Sequence, residues 1–480
     1  MPEEHTFLSY LADLTPWGGL AIVICAIFIA MKKGVKLIPV PKNADDKPGK
    51  WAWIAVAILW VVVMLNYFDR QLMSVLNKSI TEGADCIPMT QEQFGAITAV
   101  FLLIYAILSP IGGYLADRFS RKLLIMVSLV VWSIVTYMTG ASSTYTELFI
   151  WRALMGVSEA FYIPAALALI TDYHRGKTRS LATGLHMSGI YAGQALAGYG
   201  ALMAGDPCQL GWRLTFEVFG FIGVAYALVV ILFLRDPEGT PAAQTTPTEE
   251  KTEEKESTES NNFTMGEVFR GLFSTRAMSI LLLMIFFAGF ANWFLLSWYP
   301  RLLQDMFDMS ESAAGPHATQ WSSIAKYVAV LAAAVIADRW YLRNCNARAY
   351  VPGIAFCVAG PCVLLAMICG DFFIATFGKE IAFAIVLALV ATQGVAQGSI
   401  DATLMPVLRS SIDERFSATG YGLLNFVSAG VGALITWIGG MMKDAGFELS
   451  VILSTAGVLM FLCGALLFCL PKKKQEDIKA

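Results

Sequence analysis

Long apolar runs separated by short polar loops set the pattern of this chain. Stretches of about 20 residues rich in Leu, Ile, Val, Ala and Phe recur along most of its 480 positions, each long enough to cross a bilayer core of about 30 Å as a helix. Spans are predicted near residues 52–76, 93–116, 122–140, 147–172, 182–205 and 213–234. A second set is predicted near 277–303, 319–338, 349–370, 379–404, 418–440 and 449–470. Between the sets, "RDPEGTPAAQTTPTEEKTEEKESTESNN" (Arg235 to Asn262) has no apolar periodicity and is rich in Thr, Glu, Pro and Ser. It reads as a disordered linker. The expected architecture is an all-α polytopic membrane protein. It has an N-terminal segment 1–50, a six-helix bundle 51–234, a linker 235–276, a second six-helix bundle 277–470 and a basic tail 471–480.

One further apolar run, "WGGLAIVICAIFIAM" (Trp17 to Met31), precedes the twelve. Its basic cluster, Lys32, Lys33 and Lys36, follows the run, which is the wrong flank for a signal peptide. A short extra helix with an external N-terminus is expected there.

Composition agrees with this class: 56% of residues are hydrophobic and only 15% charged, too apolar for a soluble globule of this length. The net charge of −3 averages two unlike faces. "DRFSRK", "HRGKTR", "DRWYLRNCNAR" and the terminal "KKK" fall on one side, whereas "TEGADCIPMTQEQ" and "MFDMSESAAGPHATQ" on the other are poor in Lys and Arg. The positive-inside rule places the basic loops, the linker and the C-terminus in the cytoplasm, with the protein multi-pass in a cell membrane.

The halves resemble each other. "GGYLADRFSRK" follows the second span and "AAVIADRWYLR" the eighth, aligned on Asp117 and Asp338. "LATGLHMSG" (from Leu181) recurs as "SATGYGLLN" (from Ser417), and "GVSEA" (from Gly156) as "GVAQG" (from Gly394). Such repeats around a midplane site are the plan of many alternating-access carriers. "GGYLADRFSRK" resembles the loop signature of the major facilitator superfamily, with Ser120 where a Gly is usual. The resemblance covers the twelve spans and implies a twelve-helix major facilitator fold of two pseudo-symmetric bundles. It also implies that Asp117, Arg118 and Arg121, with Asp338 and Arg339 in the second copy, act in gating.

Charges inside the spans carry the candidate chemistry. Asp69 and Arg70 lie within the first span, and Arg152 and Glu159 within the fourth. Seven residues apart is nearly two helical turns, so Arg152 and Glu159 share a face. Four ionisable groups are too costly to leave in lipid and are expected to face an aqueous cavity or one another. Ion pairs that only hold helices together are the competing structural explanation. An Arg fork binds carboxylate or phosphate bidentately, and a carboxylate held away from water can exchange protons near neutral pH. Glu159 and Asp69 are therefore the candidate proton carriers, and Arg70 and Arg152 the candidate anion partners.

"NYFDR" in the first span, Tyr105 in the second and R-x6-E in the fourth resemble the anion:cation symporter family of hexuronate, galactonate and sialic acid carriers. The resemblance implies that Tyr67, Arg70, Tyr105, Arg152 and Asn425 touch a small anionic substrate. Where sugar-acid members carry a Gln after "SG" in the fifth span, this chain has Ile190, with Gln194 one turn later. Asp-Arg in the first span and R-x6-E in the fourth also resemble the spinster-like lipid carriers. A lysolipid, a sugar or a sugar phosphate are thus alternatives to a sugar acid or similar carboxylate.

The second half offers Gln393 and Gln397 on one face of the tenth span, Gln397 standing at the repeat position of Glu159. Asp401 is expected to cap the span or pair with Arg409. Trp298 and Tyr299 fit an interfacial belt or an aromatic cavity wall. The four His are scattered without ligand spacing, so no metal or other cofactor is expected. Cys86 and Cys208 share the external side of the first half, which leaves a disulfide open. No catalytic motif, Walker loop or nucleic-acid-binding segment is present, so an enzyme is not expected. The expected partners are an anionic solute, protons and membrane lipid, with the chain acting as a monomer.

Overall fold

The computed structural model describes residues 49–174, 178–205, 208–235, 273, 276–412 and 417–471. The helix expected at 17–31, most of the linker and the basic tail lie outside the described residues, as do the side chains of Asp117 and Arg118.

The first half runs through α1 (Lys50–Val75), the short α2 (Asn77–Glu82), α3 (Gln91–Arg118), α4 (Arg121–Ala141), α5 (Tyr145–Glu159), α6 (Tyr162–Tyr173), α7 (Arg179–Ala197), α8 (Tyr199–Ala204) and α9 (Gly211–Phe233). The second half comprises α10 (Arg276–Phe307), α11 (Glu311–Tyr341), α12 (Ala347–Ile368), α13 (Gly370–Phe377), α14 (Lys379–Ser411), α15 (Ser417–Asp444) and α16 (Leu449–Phe468). Eleven segments among the described residues are long and apolar enough to cross a membrane. The remaining expected span, the fifth, falls on residues 179–204, is split between α7 and α8 at Gly198 and carries His186 and Gln194.

Two prolines place polar groups in the interior. Pro164 has no N–H for the carbonyl of Ala160, and the fourth span breaks there into α5 and α6. Glu159 is thereby the last residue of α5, at the break. Pro300 likewise leaves the Leu296 carbonyl in α10 without a helical donor, and the side-chain amide of Gln71 in α1 donates to it at 2.7 Å.

Small residues let the helices approach. A Cβ on Gly360 of α12 would lie 2.6 Å from the Gly457 carbonyl of α16, and one on Gly457 would lie 2.8 Å from the Gly360 carbonyl. The ninth and twelfth spans therefore cross at a glycine pair, the packing device of membrane helices.

The halves are fastened at one end. Asp444, ending α15, accepts from the Gln91 and Glu92 N–H groups at the start of α3 at 3.0 and 2.7 Å. Glu311, starting α11, accepts from the Lys78 and Ser79 N–H groups of α2 at 2.8 and 3.2 Å. Both carboxylates sit on unpaired helix N-terminal donors, where the dipole favours a negative charge. Arg301 adds an ion pair to Glu82 at 2.6 Å. Nearer the middle, Tyr191 donates to Asp401 at 2.9 Å. Beyond that bond, toward the Phe119–Ser120 turn, no hydrogen bond joins the halves among the described residues, and Asp401 and Asn425 are exposed. The hydrogen bonds between the halves thus gather at the Glu82–Thr90 end.

Cys86 and Cys208 are both free thiols. The turn carrying Cys86 is instead held by Asp85, whose carbonyl accepts from Trp212 and whose carboxylate pairs with Arg213 at 2.5 Å. Trp298 and Tyr299 do not form an interfacial belt, because both are buried and Trp298 donates to the Thr436 carbonyl at 3.1 Å.

Candidate functional site

The centre of the first half is an ion pair. Arg70 Nε lies 2.5 Å from Glu159 Oε2, with the Arg70 side chain 7% exposed and that of Glu159 fully buried. The Arg70 guanidinium lies over three rings, Tyr105 at 4.3 Å, Tyr67 at 4.6 Å and Phe101 at 5.2 Å. Such cation–π contacts hold a desolvated charge without neutralising it. Among the described residues, the second carboxylate oxygen of Glu159 and Nη2 of Arg70 have no hydrogen-bond partner. The Arg fork is thus half used.

Asp69 and Arg70 are adjacent on α1, so their side chains diverge by about 100°. Arg70 lines a narrow cavity together with Tyr67, Gln71, Gln194 and Trp293. Asp69 points into the bundle, where Thr136 of α4 donates to it at 3.1 Å. Arg152 is also buried inside the bundle, with Nη1 2.9 Å from the Met155 sulfur and two nitrogens without a hydrogen-bond partner among the described residues. Its charge acts on both Asp69 and Glu159. The four charges expected to face an aqueous cavity or one another are therefore layered: Arg70 lines the cavity, Glu159 is buried against it, and Asp69 and Arg152 lie inside the bundle.

The remaining sequence candidates are dispersed. Gln194 lines the cleft from α7, its buried amide oxygen without a hydrogen-bond partner among the described residues. Gln393 of α14 donates to Asn292 at 3.2 Å and accepts from Ser322 at 3.2 Å. Gln397 donates to Asp401 at 2.9 Å. Asp401 thus joins Gln397 and Tyr191 and not Arg409, since eight residues along a helix is about 12 Å whereas four is one turn. Asn425 is exposed on α15 and lines neither of the two central cavities.

The gating candidates with described side chains pair within their own halves. Arg121 bridges to Asp172 and donates to the Ala168 carbonyl at 3.1 Å, tying the loop after the second span to the end of the fourth. Asp338 accepts from Arg348 at 2.9 Å, and Arg339 is exposed. Ser120, in place of the usual Gly, caps α4 by accepting from the Leu123 N–H at 3.1 Å.

Sequence reasoning missed the charge of the second half. Lys326 in α11 is 3% exposed and donates to Asn292 Oδ1 at 3.2 Å. Gly394 and Gly398 of α14 admit the backbone of α11 at Ser322 and Lys326, which brings this lysine beside Gln393. Lys326, Asn292, Gln393 and Tyr299 line a second narrow cavity. That cavity shares Gln71, Gln194 and Leu296 with the one at Arg70. The signal was present as one Lys in the otherwise uncharged "QWSSIAKYVAVLAAAV".

Fold and cleft together define a polytopic helical membrane protein of two facing six-helix bundles, with charged side chains at the seam between them. The chain belongs to the Major Facilitator Superfamily, whose family profile matches residues 59–436. Among its relatives, a probable sulfoacetate transporter of Cupriavidus necator is 25% identical over 295 residues, covering 61% of this chain and 66% of that protein. A probable L-galactonate transporter of Escherichia coli is 25% identical over 262 residues, 54% of this chain and 56% of that protein. The Drosophila melanogaster protein spinster is 28% identical over 191 residues, 39% of this chain and 30% of that protein. The chain thus matches less than two thirds of the length of each. A solved bacterial homolog of the human lysosomal transporter spinster, inward-facing and occupied, superposes with a TM-score of 0.67 at 18% identity, covering 88% of this chain and 97% of that one. The likeness extends to the fold.

Proposed function

We propose that this protein is a secondary active transporter that carries a small organic anion, a sugar acid or similar carboxylate, together with protons by alternating access. The observation that carries the reading is the Arg70–Glu159 pair, whose arginine lines the central cavity while its carboxylate is buried behind it. While Glu159 is ionised it occupies Arg70. Protonation of Glu159 removes the competing charge and leaves the guanidinium fork for the substrate carboxylate. Asp69 and Arg152 stand behind the pair and supply a second proton site and its counter-charge. Binding energy for the anion and proton uptake are then one event, which is what coupling requires.

Relatives named for galactonate and sulfoacetate support an anionic cargo. In this reading the end away from the Glu82–Thr90 contacts is the open one and, under the basic-loop rule, the cytoplasmic one, so the molecule faces inward, with its C-terminus in the cytoplasm of a cell that carries it as a monomer in its membrane. An amphipathic lipid is the second reading, favoured by the match to spinster.

The test is uptake of labelled galactonate into proteoliposomes under an inward proton gradient. Wild type accumulates it, and Glu159→Gln loses gradient-driven accumulation while retaining exchange of internal for external substrate. Normal accumulation by Glu159→Gln would remove Glu159 from the coupling role.

A further inference from the structure

Lys326 has no part in the exchange between Arg70 and Glu159, yet it is the most conspicuous charge of the second half. A buried ammonium is costly in a membrane protein, and its hydrogen bond goes to a neutral amide oxygen that it shares with Gln393. Asp401 is the acid whose charge acts on it, but Asp401 is already engaged by Tyr191 and Gln397. Lys326 faces a cavity whose wall of Gln71 and Gln194 is also the wall of the Arg70 cavity. The seam therefore offers one cation from each bundle, with neutral amides between them able to bond hydroxyl or carbonyl groups.

We propose that the cargo is a dianion, one acidic group bound by Arg70 and the other by Lys326. This rests on the organic-anion reading and narrows it. A monoanion engages one bundle through charge, whereas a molecule acidic at both ends engages both. Closing the open end over such a molecule brings two cations of opposite halves onto one ligand, so the ligand itself favours the closed state by its differential contacts. Lys326 serves here as a specificity determinant, and its amide neighbours Asn292 and Gln393 position the ammonium.

Two acids of the same six-carbon scaffold separate the cases: galactarate, acidic at both ends, and galactonate, acidic at one. Binding of each to purified full-length protein is measured by calorimetry, with sulfoacetate as a shorter dianion. Wild type is expected to prefer a dianion over galactonate by about tenfold or more, the scale on which losing one buried charge contact is felt. Lys326→Met is expected to bring that ratio close to one, and Lys326→Arg, which keeps the charge, to preserve the preference. A ratio unchanged in Lys326→Met, or a wild type that binds galactonate as well as the dianions, overturns the proposal and leaves the organic-anion reading standing. A wild type that binds none of the three acids overturns both. If Lys326→Met fails to fold, the wild-type preference and its retention in Lys326→Arg decide the matter.

Discussion

Substituting Glu159 by Gln isolates the central pair, because the shape is kept and the charge removed. Arg70 then keeps its three aromatic neighbours, between 4.3 and 5.2 Å away, but no counter-ion next to it. Removing one partner of a buried pair costs about 3–5 kcal/mol. The Gln carbonyl can still accept from Arg70 Nε, which retains about 1 kcal/mol. The net loss is therefore about 2–4 kcal/mol, and most of it is recoverable by any carboxylate that reaches Arg70. Apparent affinity for the anion should rise by a factor of about 30 or more, the equivalent of 2 kcal/mol. The assay is thermal unfolding of purified protein in detergent during titration with galactonate. The variant should melt below wild type without ligand and show the larger ligand-induced rise. An unchanged melting temperature together with an unchanged ligand response would refute the argument that Glu159 and the anion compete for Arg70.

Three other substitutions test separate parts of the structure. A Cβ at Gly95 would lie 2.7 Å from the Thr436 carbonyl of the opposite half, so Gly95→Leu should hold the closed end apart. A single-cysteine reporter at Ser297, in an otherwise cysteine-free chain, should then label several-fold faster from that side; unaltered labelling would place the closure elsewhere. The Asp338–Arg348 pair is largely solvent-exposed at the carboxylate, and Asp338→Asn should cost less than about 1 kcal/mol of stability. A larger drop in the melting temperature would mean the pair holds the second bundle together. Tyr191→Phe removes the cross-bundle hydrogen bond to Asp401 and should speed exchange of labelled galactonate if that bond restrains the halves; slower exchange would assign the hydroxyl to the substrate.

The class and the succession of apolar spans were written in the chain, because a bilayer demands continuous apolar helices whose length and periodicity are plain in one dimension. The charges in the first and fourth spans were visible for the same reason: each is an exception to a strong rule. Which of them meet was another matter. Arg70 and Glu159 are 89 residues apart and touch because Pro164 breaks the fourth span just after Glu159, while Asp69, one residue from Arg70, turns to Thr136. Gln71 finds its acceptor only because Pro300 leaves the Leu296 carbonyl open. Lys326 is a lone charge in the eighth span that sequence reasoning passed over, and only the crossing of α11 with α14 at two glycines sets it beside Gln393 on the second cavity. Linear order records which residues violate the apolar rule; the directions in which helices cross and kink decide which violations face one another.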